Sequence, residues 1–275
     1  MKVGIIGLGL IGGSLGLSLR ENKLIDLVCG YDINKEFEQI ALERKLIDKI
    51  VTFEELKKCD VIFLAIPVRA IVKILKEFQG ISKDCTIIEL GSTKEEIIKN
   101  LPSYLQSQFI AAHPMAGTEN SGPNAAIKDL YKNAVCVLCD VQNADHIHQK
   151  RAIEIFSDLG MKLVFMDSIS HDHHASIISH LPHVISFSLA NFVMKEENKK
   201  NIAHLGGPSF KDMCRIAKSN PQMWSGIFEQ NKQNLLNSID LFQKELQECK
   251  KMIEKCDVNE LETWIKSANK LREIL

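Results

Sequence analysis

Apolar residues in the first 165 positions fall in short β-branched runs separated by stretches with helical spacing. KVGIIGLG, DLVCGYD, CDVIFLAIP, CTIIEL, QFIAAH, AVCVLCD and KLVFMD read as strands, and IGGSLGLSLREN, KEFEQIALERK and RAIVKILKEFQ as helices between them. Alternation of this kind predicts a doubly wound, mainly parallel sheet covered by helices on both faces. Beyond about Ser170 the pattern changes. No strand signal remains, and HASIISHLPHVISFSLANFVMK, PQMWSGIFEQNKQNLLNSIDLFQKELQECKKMIEK and VNELETWIKSANKLREIL read as long helices. The expectation is an α/β domain over residues 1–168 and an all-helical domain over 169–275. No repeat or low-complexity linker separates them, which favours a cleft over a flexible tether.

Composition narrows the function classes. The chain has 275 residues, 45% hydrophobic and 25% charged, with a net charge of −1. No basic domain or acidic tail stands out, so neither nucleic acid nor a membrane surface is expected as a partner. The N-terminus enters a strand directly, without a signal-peptide layout, and no apolar run approaches the roughly 20 residues of a membrane span. A soluble, cytoplasmic protein is expected. Of the eight cysteines, Cys136 and Cys139 are the one close pair. On a strand they point to opposite faces, poor geometry for one metal, so buried free thiols are expected.

The first chemical signal is Gly7-Leu8-Gly9-Leu10-Ile11-Gly12, between a strand and a helix. Gly7 suits the tight turn, Gly9 lets backbone approach a pyrophosphate, and Gly12 lets the helix pack closely. The helix N-terminus then offers free N–H groups to phosphate. Asp32 ends the second strand, 20 residues past Gly12. A carboxylate there accepts from ribose hydroxyls and repels a 2′-phosphate, favouring NAD; Lys35 leaves some NADP use open. The plainer reading of Asp32 is a turn residue. Ala65-Ile66-Pro67 and Gly91-Ser92 end two further strands on the same edge. Ser92 could reach a nicotinamide or substrate oxygen; equally, Ser92 or Thr93 could N-cap the next helix.

His113 follows the strand QFIAA and falls in the same crevice. With an ordinary pKa near 6.5 it is mostly free base at neutral pH, as a dehydrogenase needs to take a hydroxyl proton. A solvent-facing loop histidine is the bland alternative. At helical spacing Ser176, Ser179, His180 and His183 share one face. Zinc is a rival use of these histidines, but the i, i+3 spacing and Pro182 weigh against it, and no metal is expected. Lys211 and Arg215 stand at i, i+4, suited to a carboxylate or to a solvated basic face. Trp224 is either core or substrate wall.

Over nearly its whole length the chain resembles the prephenate dehydrogenases of the monofunctional bacterial type. GLGLIGGSLG, ENKLIDLVCGYD, LAIPV, ELGSTK, HPMAGTENSG, SHLPHVISFSLA and GGPSFKDMCRIAKSNPQMWSGIF carry the resemblance. It implies an N-terminal Rossmann domain and a helical domain that forms a homodimer. It also implies oxidative decarboxylation of prephenate to 4-hydroxyphenylpyruvate with NAD, in tyrosine biosynthesis. By position it makes His113 the base that takes the ring hydroxyl proton and Ser92 the residue orienting that hydroxyl near the nicotinamide. Thr118 and Glu119 line the site, and Ser179, His180 and His183 flank the substrate. Arg215 binds a carboxylate, with Lys211 and Trp224 near that pocket, and His171 is a lesser candidate.

Two departures stand out. Glu89 replaces the usual Asp before the Gly-Ser pair, and the His-Asp motif is extended to His171-Asp172-His173-His174, leaving open which histidine faces the site. The absence of a chorismate mutase segment and of a C-terminal regulatory domain leads to the expectation that tyrosine feedback, if present, is competitive. Arogenate dehydrogenase, a β-hydroxyacid dehydrogenase and a catalytically silent nucleotide sensor are the alternatives.

Overall fold

The computed structural model describes residues 1–274; Leu275, assigned above to the helical domain, lies outside the described residues. Eight strands form one sheet: β1 (Lys2–Ile6), β2 (Leu27–Tyr31), β3 (Lys49–Ile50), β4 (Val61–Leu64), β5 (Thr86–Glu89), β6 (Phe109–Pro114), β7 (Val135–Cys139) and β8 (Lys162–Met166). Their order is β3-β2-β1-β4-β5-β6-β7-β8. All neighbours are parallel except β6 and β7. The chain builds outward from β1 in one direction and, after β3, from β4 in the other. That reversal opens a crevice at the carboxyl ends of β1 and β4, where doubly wound sheets take ligands. The sequence pattern missed β3, whose two residues are too few to show a period.

Alternation along the strands feeds two cores. Val61 and Phe63 of β4 enter one core with Ile5 of β1, and Ile62 and Leu64 enter the other with Ile6. Strands buried on both faces explain the continuous apolar runs of the sequence.

Six helices lie among the strands: α1 (Leu10–Leu19), α2 (Lys35–Glu43), α3 (Phe53–Leu56), α4 (Val68–Ile74), α5 (Glu95–Lys99) and α6 (His146–Asp158). Beyond β8 come α7 (Ser168–Ala175), α8 (Leu181–Glu196), α9 (Lys199–Leu205), α10 (Pro208–Cys214), α11 (Pro221–Gln230), α12 (Lys232–Lys255) and α13 (Val258–Asn269). Asn231 interrupts what the sequence presented as one helix from Pro221 to Lys255. Residues Met1–Asn231 pack as one compact unit. A second begins at Lys232, and within it α12 and α13 pack together, with Trp264 Nε1 donating to Glu245.

One expectation needs correcting. A wide π turn over Ser176–His180 joins α7 to α8, giving a continuous helix Ser168–Glu196 of 29 residues, within which an 18-residue stretch has a mean hydropathy of 1.4. By length and composition alone it could cross a membrane. Its histidines and serines hid this from a search for unbroken apolar runs. Those same polar residues (His171, Asp172, Ser176, His180 and Ser186) are buried, while Ile169, Ile177, Ile178 and Phe192 are exposed. The side turned into the protein thus carries the polar groups.

Candidate active site

At the end of β1 the chain turns at Gly7 with φ +91°, a left-handed conformation that glycine adopts without strain. A Cβ there would also meet the Ala65 carbonyl oxygen at 2.4 Å and Ile66 Cγ2 at 2.7 Å, so the turn is pressed against the end of β4. A Cβ on Gly12 would lie 1.9 Å from the Gly7 carbonyl oxygen, whereas one on Gly9 would meet nothing within 4 Å. Two glycines therefore serve packing, and the third leaves open space over the loop. Gly9 caps α1 without any side-chain hydrogen bond, leaving the first-turn N–H groups of Leu10, Ile11 and Gly12 uncapped. Leu8 differs: its side chain is buried and its N–H donates to Asp32 Oδ2 at 2.7 Å. Asp32 Oδ1 accepts from Asn34 N at 2.9 Å. The acid at the end of β2 thus touches the glycine loop. An open, uncapped anion cradle beside a carboxylate at the end of β2 fits a dinucleotide with one pyrophosphate.

His113 is buried near the end of β6, where its backbone pairs with β7 opposite Val137. Its Nδ1 lies 2.8 Å from His171 Nε2, and His171 Nδ1 lies 2.7 Å from Asp172 Oδ1. Asp172 also accepts the backbone N–H groups of Lys94 at 2.8 Å and Glu95 at 2.9 Å. An oxygen already holding an N–H donor acts here as acceptor, so His171 Nδ1 must donate. His171 Nε2 is then the acceptor, His113 Nδ1 carries a proton, and His113 Nε2 keeps its lone pair. Burial, with smaller effects from His171, Lys94 and His180, pushes the His113 pKa well below 6.5. Burial likewise lowers His171, against the pull of Asp172. His113 is thus neutral at physiological pH with one defined free nitrogen. His173 and His174 are exposed, so His171 is the member of the extended motif turned inward.

The loop after β5 approaches from the other side. Asp172, not Ser92 or Thr93, receives the N–H groups at the start of α5, so the side-chain cap considered for those two residues is not formed. Ser92 is half-buried, and its backbone lies against His180. Lys94 pairs with Glu89, both side chains fully buried. Burial raises the Glu89 pKa to about 7, against the opposing charge of Lys94. Glu89 Oε2 also accepts Gly91 N at 2.8 Å.

Four further residues form an aromatic and polar wall. Trp224 stacks on His183 with centroids 3.5 Å apart and planes at 23°. Its buried Nε1 has no hydrogen-bond partner among the described residues. His183 Nδ1 lies 3.0 Å from the Ser179 carbonyl oxygen, so what Ser179 contributes is backbone. His180, in the π turn, is fully buried; its Nδ1 lies 3.1 Å from Asn231 Nδ2, which also donates to the Asp172 carbonyl at 2.7 Å. Burial takes the His180 pKa down to about 4. Arg215 is mostly exposed and meets Glu119 at 3.3 Å. Thr118 is exposed and its hydroxyl accepts Asn120 N at 3.2 Å. Lys211 is exposed on α10 and hydrogen-bonds to none of these residues. Among the described residues no three metal-ligating side chains gather.

Sequence reading missed Asp172, Lys94, Glu89 and Asn231 as partners of the site. Asp172 adjoined a named histidine, and Lys94 closed the motif containing Ser92. Asn231 had no signal beyond breaking a helical pattern.

A neutral histidine aimed beyond the strand ends, beside a dinucleotide loop, is the apparatus of a dehydrogenase, and the fold and site define that class. Comparison with known proteins gives the family. Residues 15–165 match the family described as "Prephenate dehydrogenase, nucleotide-binding domain", and residues 167–268 match "Prephenate dehydrogenase, dimerization domain". The prephenate dehydrogenase of Bacillus subtilis is 32% identical over 280 residues, covering 98% of this chain and 74% of that protein. The crystal structure of Aquifex aeolicus prephenate dehydrogenase with hydroxyphenyl propionate and NAD+ superposes with a TM-score of 0.92 at 32% identity, covering 99% of this chain and 97% of that one. Synechocystis arogenate dehydrogenase gives a TM-score of 0.81 at 28% identity over 99% of both chains. The chain belongs to the prephenate dehydrogenase family.

Proposed function

We propose that the chain catalyses NAD-dependent oxidative decarboxylation of prephenate to 4-hydroxyphenylpyruvate, with His113 as the base. The hydrogen-bonded series Asp172–His171–His113 carries this reading, because it leaves His113 Nε2 free to take the 4-hydroxyl proton. Bound NAD supplies the acceptor for the hydride leaving C4. As the proton passes to His113, the imidazolium is stabilised through His171 by the Asp172 carboxylate. The C4 oxygen becomes a ketone, the bond to the ring carboxylate breaks with loss of CO2, its electron pair makes the ring aromatic, and the phenolate oxygen so formed takes back the proton held by His113. Aromatisation drives the step, so the protein's task is positioning.

The loop Gly7, Leu8, Gly9, Leu10, Ile11, Gly12 would hold the pyrophosphate, Asp32 the ribose, and Ala65, Ile66, Pro67 and Ser92 the nicotinamide end. Ser92 would orient the substrate hydroxyl. Arg215 would bind a substrate carboxylate, exchanging Glu119 for it, and Trp224, His180 and His183 would flank the ring. Thr118, Ser179 and Lys211 would complete the surroundings. We divide the functional regions at residues 168/169. The exposed apolar residues of the helix Ser168–Glu196 suit a second copy of the chain, in line with the family's dimerization domain. A cytoplasmic location accords with a small-molecule biosynthetic role.

NADH absorbance with prephenate, arogenate and simple hydroxyacids, each with NAD and NADP, tests the assignment. Expected is turnover of prephenate with NAD in clear excess over the others. Preference for arogenate, or no turnover of prephenate, would overturn it.

A further inference from the structure

Lys35 is the residue that left NADP open, and the structure shows what becomes of its charge. Asn34 caps α2 through the N–H of Glu36, which places Lys35 and Glu38 one turn apart at the start of the helix. Glu38 is almost fully buried. Its Oε1 accepts the backbone N–H of Asp32 at 3.1 Å. Both its oxygens hold Lys35 Nζ, at 3.0 and 2.9 Å, and that ammonium also lies 5.2 Å from the centre of the Tyr31 ring. The lysine is thus tied down on two sides. Lys35 borders a cleft of about 500 Å³ with Tyr31 and residues 50–55, and no other lysine or arginine lines it. Its acids are already engaged: Glu55 closes the capping box of Thr52, and Glu54 pairs with Lys57 at 2.9 Å.

We infer that Glu38 is a cofactor-specificity residue: by holding Lys35 it withholds a cation, three positions from Asp32, that could otherwise receive a 2′-phosphate. The inference rests on the dinucleotide reading of the glycine loop. Asp32 repels the extra phosphate, and Glu38 removes its compensation. An ion pair whose lysine is 73% exposed, even against a buried carboxylate, is worth little to stability. Its consequence here is selectivity, since discrimination is a difference between two affinities. Lys35 would be a working phosphate ligand only where residue 38 is not a carboxylate.

Fluorescence titration of NADH and NADPH, without substrate, tests this on the full-length protein. The unmodified chain should bind NADH much more tightly than NADPH. Glu38→Gln keeps an acceptor for the Asp32 N–H but frees Lys35, and should shift the affinity ratio towards NADPH by about tenfold, as one charge-assisted contact would. Lys35→Ala alone should leave the ratio within about twofold, because the lysine is already withheld, and Lys35→Ala combined with Glu38→Gln should cancel the shift. An unchanged ratio in Glu38→Gln, a shift that survives in the double variant, or a loss of NADPH binding in Lys35→Ala alone would overturn the inference. Failure of the unmodified protein to bind NADH at all would instead overturn the dinucleotide reading on which it rests.

Discussion

Asp172 reaches His113 only through His171, yet its hydrogen bonds select which nitrogen of His113 keeps the lone pair on which the proposed base role rests. An acceptor at Asp172 propagates through His171 and ends with a lone pair at His113 Nε2. In Asp172→Asn the amide can donate instead, reversing the series and placing a proton where the lone pair is needed. The expected loss in kcat is about 10²–10⁴-fold, the usual worth of a placed base. The pH profile distinguishes this from a structural effect. In the unmodified chain, burial holds His113 below 6.5, so the neutral form persists as pH falls and the acid limb of kcat/KM is expected below 6.5. The variant should move that limb. A variant that loses kcat and thermal stability but keeps the limb in place would make Asp172 merely the cap of α5.

Among the elements, legibility followed local signal. Runs of β-branched residues gave seven strands, and the glycine turn was readable because its spacing reflects a steric need: a Cβ at Gly12 would strike the Gly7 carbonyl. The π turn over Ser176–His180 was not readable. A regular helix puts Ser176, Ser179, His180 and His183 on one face, whereas the wider turn leaves Ser176 and His180 fully buried and Ser179 and His183 half-buried. The Asp172–His171 link to His113 was equally hidden, since it joins residues 58 apart in sequence. Long-range contacts leave no periodic trace. The cap of α5 failed to show for the same reason: the carboxylate that forms it comes from α7, 77 residues on. Resemblance to known motifs filled part of that gap, but not Lys94, Glu89 or Asn231, whose contribution depends on what packs around them.

At the scale of the whole molecule, the cost of burying histidines appears in its response to pH. His113, His148, His171, His180 and His183 all have lowered pKa values, with burial the largest cause in each. Unfolded histidines take up protons as pH falls through about 6.5. The folded chain resists, His180 down to about 4. The stabilisation is therefore fully present above 6.5 and is lost progressively below it. Thermal unfolding should show Tm falling between pH 6.5 and 4.5, and His180→Asn, which removes one of the buried groups that resists protonation, should flatten that fall. An equally steep fall in the variant would place the sensitivity elsewhere.

The proposed function reduces at this scale to whether one nitrogen accepts one proton while a dinucleotide is bound. The most direct measurement is steady-state NADH formation from prephenate by His113→Asn, with NADH binding measured on the same protein. Expected is a fall in kcat of at least about 10²-fold with NADH affinity within a few-fold of the unmodified chain. Near-normal turnover in His113→Asn would contradict the assignment of the base and, with it, the role given to His171 and Asp172.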